Sequence, residues 1–240
     1  MMISIIIPTY NEKENLPRLV NKIYKVLNCH LSYEIIIVDD NSPDGTGVIA
    51  DVLSKKYNEI NVIHRNGFPD LSRAVVEGIK HSKGNIIGVM DADLSHPPEV
   101  IPKLIKPILD NKSEFVIGSR YLTGKIKKWT FSRKIISRGA IILARPLTSV
   151  SDPMSGFFFF KKNVINDTEL SPIGYKIILE ILVKGNYKKV KEIEYIFKDR
   201  EFGNSKLNYK NYLKYLIHLI LLYTYKIKKH LGVIVSDFNL

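Results

Sequence analysis

Two short runs, Ile3-Ser4-Ile5-Ile6-Ile7 and Glu34-Ile35-Ile36-Ile37-Val38, decide the fold of this chain. Both runs are rich in β-branched residues and lie between turn-forming residues, which is typical of buried parallel strands. The residues that separate them, from Asn15 to Leu27, carry apolar side chains at helical spacing. A strand, a helix and a second buried strand in this order predict the beginning of a sheet that is covered by helices.

The same alternation of helix and strand continues as far as Met90. The elements predicted there are a helix from about Gly47 to Tyr57, a strand from Asn61 to His64, a helix from about Leu71 to His81 and a strand from Ile86 to Met90. This order predicts an α/β fold with a doubly wound, mostly parallel sheet flanked by helices. Ligands bind such sheets beyond the carboxyl ends of the strands, so polar residues at those ends are candidates for a site.

The second half of the chain is less regular, and no internal repeat or linker divides it. The elements predicted there are a helix from Glu99 to Leu109, a strand from Phe115 to Gly118, an aromatic strand from Met154 to Phe160 and a helix from Ile173 to Val183. A length of 240 residues and a hydrophobic content of 45% fit one compact domain with a sizeable core.

The formal charge of +12 is concentrated in two windows without acidic residues, Phe115 to Ser151 and Phe202 to Ser236. A solvated helix face normally alternates charge signs, so these windows favour an anionic partner: nucleic acid, anionic lipid or a phosphorylated substrate. The single cysteine, Cys29, cannot form an internal disulfide, and the N-terminus lacks the pattern of a secretory signal. We therefore expect a cytoplasmic protein.

The sharpest chemical signal is Asp91-Ala92-Asp93, directly after the apolar run from Ile86 to Met90. If the chain stays extended there, side chains two positions apart share a face, so both carboxylates can approach one hard cation. Such a pair suits a magnesium or manganese ion that also holds a diphosphate. The alternative is a helix N-cap, because Pro97 and Pro98 follow.

A second acidic pair, Asp39 and Asp40, ends the run from Glu34 to Val38 and precedes a turn-rich stretch. Adjacent carboxylates repel each other and tend to take separate roles, one toward a ligand and one toward a backbone turn. A capped turn alone is the alternative. The nearby run from Gly45 to Ala50 imitates a dinucleotide fingerprint, but it follows the second strand rather than the first, which argues against a dehydrogenase.

Histidine, serine and cysteine show no pattern of nucleophilic catalysis. The six histidines form no metal-binding cluster in sequence. For His96, close to Asp93, a structural or surface role is favoured, and a ligand role is the alternative. The remaining chemistry is a metal-held phosphate together with arginines.

Five motifs occur in a fixed order: Pro8-Thr9-Tyr10-Asn11-Glu12, Asp39-Asp40-Asn41-Ser42-Pro43-Asp44-Gly45, Asp91-Ala92-Asp93-Leu94-Ser95-His96-Pro97, Gly118-Ser119-Arg120-Tyr121 and Arg133-Lys134-Ile135-Ile136-Ser137-Arg138-Gly139. Together they resemble the dolichyl-phosphate mannose synthases of the family-2 glycosyltransferases, which have the GT-A fold. The likeness runs from about Ser4 to Leu207. Around Asp152-Pro153-Met154-Ser155-Gly156-Phe157 the sequence resembles archaeal members of this family.

The resemblance implies a GDP-mannose donor, a Mg or Mn ion and an inverting transfer that gives a β-mannosyl phosphate lipid. It assigns these residues to the donor: Pro8, Tyr10, Glu12, Asp39, Asp40, Asp91, Ala92, Asp93 and Arg120, with Arg200 and Lys206 on a loop that closes over it. It assigns Arg120, Arg133, Ser137 and Arg138 to the acceptor phosphate. The metal would be held by Asp91, Asp93 and Ser95, but many archaeal and bacterial members have Gln at the last position, which leaves water as an alternative third ligand.

The chemistry of the residues agrees with that implication. A phosphate monoester is already an oxyanion at neutral pH, because its second pKa lies near 6, so the acceptor needs no strong general base. Arginine forks bind phosphate oxygens bidentately, which favours Arg133 and Arg138 over Lys127 and Lys128 as acceptor-binding residues. The same skeleton could carry glucose or N-acetylglucosamine.

Two readings from other classes remain, a catalytically inactive scaffold subunit and a basic nucleic-acid-binding module. No motif is broken, which argues against the scaffold. Carboxylates cluster at the strand ends and would repel a nucleic acid, so no nucleic-acid partner is expected.

The C-terminal part is predicted to be an amphipathic segment, 208–240, that follows a catalytic domain, 1–207. Its apolar run from Tyr212 to Tyr225 is shorter than the roughly 20 residues of a bilayer-spanning helix and is interrupted by Lys214 and His218. The tyrosines and the following lysines are typical of an interfacial helix, and the alternative is a core helix packed on the sheet. We expect peripheral docking on the cytoplasmic face of a membrane, where the lipid acceptor is met at the surface or beside a membrane-protein partner.

Overall fold

The structure is a computed structural model that describes residues 1–27, 31–121, 131–198 and 209–232, without the side chains of residues 131–135 and 209–210. The strands are β1 (Met2–Thr9), β2 (Ser32–Asp39), β3 (Ile60–His64), β4 (Ile86–Val89), β5 (Phe115–Ser119), β6 (Phe158–Lys161) and β7 (Val190–Glu194). Among the described residues they form one sheet in the order β3-β2-β1-β4-β6-β5-β7. Only β6 runs against its neighbours.

Helices cover both faces of this sheet. They are α1 (Leu16–Leu27), α2 (Thr46–Lys56), α3 (Leu71–His81), α4 (Ile101–Leu109), α5 (Phe131–Ala144), α6 (Ile177–Lys184) and α7 (Tyr209–His230). Successive side chains of β1 point to opposite faces, so Ile5 and Ile7 pack in the core with α1 and α4, whereas Ile6 packs with α3 and α6. Because both faces are buried, β1 is apolar throughout rather than alternating.

The antiparallel strand β6 fits between β4 and β5 because β4 carries a glycine. Gly88 pairs in register with Phe159. A Cβ atom at Gly88 would lie 2.1 Å from the ring of Phe159, a distance that no side chain can occupy. The aromatic run of β6 therefore belongs to the core, and the absence of a side chain at residue 88 lets it lie there.

The predicted fold class is confirmed, since the sheet is mostly parallel and flanked by helices. The elements predicted up to Met90 occur within a residue or two of their expected bounds. Two later predictions were partly wrong. The strand expected from Met154 is limited to Phe158–Lys161, and the helix expected from Ile173 begins at Ile177. The strand β7 and the helix α5 were not predicted.

Helices α5, α6 and α7 form a separate small core beside the sheet. Its buried residues include Ala144 of α5, Leu179 of α6 and Tyr215, Leu219 and Leu222 of α7. The opposite side of α7 remains apolar and exposed, with Leu213 58% and Ile220 65% exposed. In the part of the chain that the structure describes, no helix combines the length and the apolar character needed to cross a membrane.

Candidate active site

A cavity of about 440 Å³ opens beside the carboxyl ends of β1, β2 and β4. Nine residues that the motifs assign to a site line it: Pro8, Tyr10, Glu12, Asp40, Asp91, Ala92, Asp93, Ser95 and Arg120. Parallel strands bring their carboxyl ends to the same edge of a sheet, so segments that are distant in sequence meet there. The cavity also has walls from the segment before α6 and from α7, which the motifs do not include.

The other predicted site residues lie elsewhere or outside the description. Ser137 and Arg138 lie on α5 and are not among the described cavity-lining residues; Ser137 Oγ is 2.6 Å from the hydroxyl of Tyr121, and Arg138 is exposed. Residue Arg133 lies in the first turn of α5, but its side chain is outside the described part of the chain. Arg200 and Lys206 also lie outside the described residues.

The two carboxylates of the Asp91-Ala92-Asp93 motif reach the cavity from a turn. The strand ends at Val89, and the turn includes Leu94 with a φ of 62°. The chain is therefore not extended there, so the condition under which the two side chains would share a strand face is not met. Both carboxylates line the cavity, and a hydrogen bond within the turn holds Asp93, since the N–H of Ser95 donates to Asp93 Oδ1 at 3.1 Å. The alternative of a helix N-cap is wrong, since the helical turn at Pro98–Val100 is capped by Pro97 without a side-chain hydrogen bond.

The buried imidazole of His96 packs against this turn and forms a hydrogen bond with it. It is 1% exposed and stacks on Phe157, with ring centroids 5.1 Å apart. The N–H of Asp91 donates to His96 Nδ1 at 3.0 Å, so the ring proton of the neutral form is on Nε2, 3.7 Å from Asp91 Oδ2. Burial holds the pKa of His96 below its usual value, which keeps it neutral. Of the structural and surface roles expected for His96, its burial fits the structural one.

Gly156 leaves the space that the Asp91 carboxylate occupies. A Cβ atom at residue 156 would lie 3.0 Å from both carboxylate oxygens of Asp91. Any larger residue would thus displace this carboxylate or be displaced by it. Gly156 lines the same cavity and sets the position of Asp91 on that side.

Asp39 and Asp40 have separate partners. Asp39 accepts hydrogen bonds from the N–H of Ser42 at 3.0 Å and from Thr9 Oγ1 at 3.1 Å, so its carboxylate fixes the turn. Asp40 lines the cavity, where it pairs with Arg65 and accepts from the N–H of Asp70 at 2.7 Å. Burial raises the pKa of Asp40 despite these partners. Of the two, Asp40 is the carboxylate placed to meet a ligand.

Arg120 is the cavity cation whose orientation is most completely fixed. Its Nε and Nη2 atoms donate to the two carboxylate oxygens of Asp152 at 2.8 and 2.7 Å, and its backbone N–H donates to the same carboxylate at 3.1 Å. Asp152 is fully buried, and burial alone would raise the pKa of Asp152, but the charge and hydrogen bonds of Arg120 hold that pKa below its usual range. The backbone N–H groups of Ser151 and Asp152 donate in turn to Glu192 of β7. The guanidinium is therefore held in one plane against the cavity.

Sequence reasoning did not assign several of these residues. Asp152 is the first acidic residue after the window from Phe115 to Ser151, a position that could have indicated a partner for an arginine within that window. Of the residues that the structure describes, five carboxylates (Glu12, Asp40, Asp70, Asp91 and Asp93) and three cations (Arg120, Lys176 and Lys214) line the cavity. Among the described residues, no group of three or more His, Cys, Asp or Glu side chains is arranged to hold a metal ion.

The chain matches the family described as Glycosyl transferase family 2 over residues 4–168. The match covers more than half of the sequence, and it includes strands β2 to β6, most of β1 and the carboxylates at the strand ends. The chain therefore belongs to glycosyl transferase family 2.

Three relatives of this chain are all named dolichol-phosphate mannosyltransferase. The chain is 50% identical to a dolichol-phosphate mannosyltransferase of Pyrococcus furiosus. The match covers 91% of this chain and 63% of the Pyrococcus protein. It is 41% identical to the dolichol-phosphate mannosyltransferase of Mycosarcoma maydis and 37% identical to that of Saccharomyces cerevisiae, covering 79% and 87% of those proteins. The chain thus spans less than two thirds of the archaeal relative and most of the two fungal ones. These matches confirm the resemblance that the motifs indicate.

Solved structures with the same fold include glucosyl-3-phosphoglycerate synthase from Mycobacterium tuberculosis. Its complex with uridine diphosphate superposes with a TM-score of 0.69 at 16% identity, covering 92% of this chain and 79% of that one. Its complex with Mn²⁺, UDP-glucose and phosphoglyceric acid gives a TM-score of 0.63, covering 85% and 72%. At this identity the likeness shows a common fold.

Proposed function

We propose that this chain transfers mannose from GDP-mannose to dolichyl phosphate, with inversion at the sugar carbon, to give dolichyl β-D-mannosyl phosphate. The observation that carries the proposal is the pair of carboxylates Asp91 and Asp93 facing the same cavity as the fixed guanidinium of Arg120, in a chain 50% identical to a dolichol-phosphate mannosyltransferase. A nucleoside diphosphate and a phosphate acceptor need both kinds of group in one site.

A divalent cation fits the donor set of this cavity. Asp91 and Asp93 offer carboxylate oxygens, and Ser95 offers a hydroxyl, all of which are hard ligands that suit Mg²⁺ or Mn²⁺. Two carboxylates leave several positions for diphosphate oxygens and water, which is how magnesium is commonly bound in nucleotide sites. When bound, the ion would offset the charge of the departing diphosphate. The solved structures of the mycobacterial synthase with Mn²⁺ support a divalent metal, and the choice between Mg and Mn is part of the proposal.

The transfer itself needs no base from the protein. An oxygen of the acceptor phosphate forms a bond to the anomeric carbon while the bond from that carbon to the GDP oxygen breaks and its electron pair leaves with GDP. The attacking oxygen is already ionised at neutral pH, because the second pKa of a phosphate monoester is near 6. The only histidine that lines the cavity among the described residues, His96, is held neutral beneath the metal-binding turn, so it supports the turn rather than the proton balance.

The protein must instead bring two anions together, and Arg120 is placed to do so. Its bidentate pair with Asp152 fixes the plane of the guanidinium before a ligand enters, so little reorganisation is needed during the reaction. The cationic residues of α5, including Arg133 and Arg138, extend this basic region along the acid-free window. We assign the acceptor phosphate to Arg120 and this part of α5, and the donor to Pro8, Tyr10, Glu12 and Asp40.

The acceptor is a lipid, and α7 supplies a surface for it. Its inner side is buried against α5 and α6, while Leu213, Leu216, Ile217 and Ile220 remain exposed on the outside. The last turn carries Lys228, Lys229 and His230. An exposed apolar row followed by cations is typical of a helix that lies in a membrane interface. We propose peripheral docking through α7 on the cytoplasmic face, with or without a membrane-protein partner.

The decisive experiment measures transfer of labelled sugar from GDP-mannose, UDP-glucose and UDP-N-acetylglucosamine to a short polyprenyl phosphate, each with and without Mn²⁺. The proposal predicts metal-dependent transfer from GDP-mannose alone, with release of GDP. Transfer from a UDP-sugar would retain the family and replace the donor. Transfer that is unchanged in the presence of a chelator would overturn the role given to Asp91 and Asp93.

A further inference from the structure

Asp70 joins four parts of the molecule at the edge of the cavity: α3, the loop at Gly174, α7 and the carboxylate of Asp40. It caps α3 by accepting from the N–H of Arg73 at 3.2 Å. Its other oxygen accepts from the N–H of Gly174 at 3.1 Å and from Lys214 Nζ of α7 at 3.0 Å. The backbone N–H of Asp70 donates to Asp40 Oδ2 at 2.7 Å. Asp70 thus connects α7 with the carboxylate that the donor site uses.

The contacts around this junction leave α7 little room to shift. Gly174 accepts a hydrogen bond from the N–H of Ser72 at 3.0 Å and has a φ of +73°. A Cβ atom at Gly174 would lie 3.3 Å from the Cβ of Lys214, so this glycine lets α7 approach the loop. The side chain of Asp70 is only 8% exposed, and that of Lys214 is 44% exposed. A displacement of α7 would therefore reach Asp70 directly.

We propose that Asp70 is a positioning residue of the donor site, which acts through Asp40, and that Lys214 makes α7 part of this site by holding Asp70. The proposal rests on the function proposed above, in that Asp40 binds the nucleotide of the donor. Asp40, Asp70 and Lys214 line the same cavity. Arg65 holds one carboxylate oxygen of Asp40 and the backbone N–H of Asp70 holds the other, so Asp70 contributes to the position of this carboxylate without replacing it as the ligand.

The test measures the dissociation constant of GDP, with Mn²⁺ present, for the full chain, four variants of the junction and one control variant. Lys214→Met removes the cation, and Asp70→Asn removes the charge while keeping the cap of α3, because asparagine caps helices well. We expect each to weaken GDP binding about fivefold or more, the lower end of measured couplings between sites. The double variant should bind no more weakly than the weaker-binding single variant, because both changes interrupt the same connection. Lys214→Arg should restore most of the affinity.

Lys80→Met is the matched control, because Lys80 forms an exposed pair with Glu77 on α3, and it should bind GDP as the wild type does. A direct contact of Lys214 with the donor would instead give additive losses in the double variant, and that result overturns the proposal. Wild-type affinity in a Lys214→Met variant whose Tm shows that it is folded would also overturn it. If the wild type binds UDP and not GDP, the proposed donor is wrong, and the same series with UDP decides the role of Asp70.

Discussion

Asp152→Asn tests whether the orientation of Arg120 depends on a buried ion pair. The change keeps the shape of the side chain but leaves Arg120, which is 10% exposed, without its counter-charge. Removing one partner of a buried pair typically costs about 3–5 kcal/mol. Because asparagine retains one acceptor oxygen, we expect the lower end of that range, about 3 kcal/mol.

A loss of this size is easily measured by thermal unfolding. For a chain of this length, each kcal/mol shifts Tm by about 2–4 °C, so Tm should fall by about 6–12 °C. Activity at a temperature where the variant is folded should show a higher KM for polyprenyl phosphate, since the guanidinium is no longer held in one plane. The control is Asp110→Asn, which removes a carboxylate that pairs with Lys106 and Lys112 on the surface and should barely change Tm.

The pH dependence provides a second check with a definite sign. The pKa of Asp152 is lower in the folded chain than the unfolded value of about 3.9, so its stabilisation is present above that value and is lost as pH falls through the folded pKa. The difference in Tm between wild type and Asp152→Asn should be constant near neutral pH and shrink below about pH 4. A variant with the Tm of the wild type at pH 7, or a difference that grows in acid, would refute the reasoning about this pair.

Four further changes test other parts of the site. Asp93→Asn should lower turnover on the order of a hundredfold because a metal-binding charge is lost; near-normal turnover by a folded variant would contradict the metal assignment. Arg133→Lys keeps the charge but loses the fork, so the KM for the lipid phosphate should rise while GDP affinity stays the same, and a collapse of GDP binding would move Arg133 to the donor site. Gly156→Ala would place a Cβ 3.0 Å from both carboxylate oxygens of Asp91, and the Mn²⁺ concentration needed for half-maximal GDP binding should rise at least about tenfold. Ile220→Glu, on the 65% exposed outer side of α7, should reduce co-sedimentation with anionic vesicles at low salt without changing Tm; vesicle binding equal to that of the wild type would exclude this side as the docking surface.

The division between a catalytic part, 1–207, and a C-terminal segment, 208–240, remains a prediction from the sequence. The contacts of α7 bear on what that segment does. Tyr215, Leu219 and Leu222 are buried in the core with α5 and α6, and Lys214 lines the cavity. Removing α7 would therefore expose apolar surface, and single changes on its outer side test membrane docking more cleanly than truncation.

The sequence by itself determined the sheet, its mostly parallel order and the position of the site at the carboxyl ends of the strands. These follow from local patterns: short β-branched runs between turn residues, such as Ile3 to Ile7, favour buried strands, and the helices between them favour parallel connections. Those patterns missed β7, because Val190–Glu194, at the edge of the sheet, has three charged residues among its five instead of forming an apolar run.

Only the tertiary structure decided which side chains meet in the site. Arg120 and Asp152 are separated by 32 positions and Asp70 and Lys214 by 144, and nothing in their local sequence indicates either pair. Such pairs depend on how whole helices and loops pack, since a shift of one turn of α7 would take Lys214 away from Asp70. The sequence could therefore predict that carboxylates and Arg120 lie at one edge of the sheet. Their orientation depends on long-range packing, which fixes Asp152 against Arg120 and α7 against the cavity.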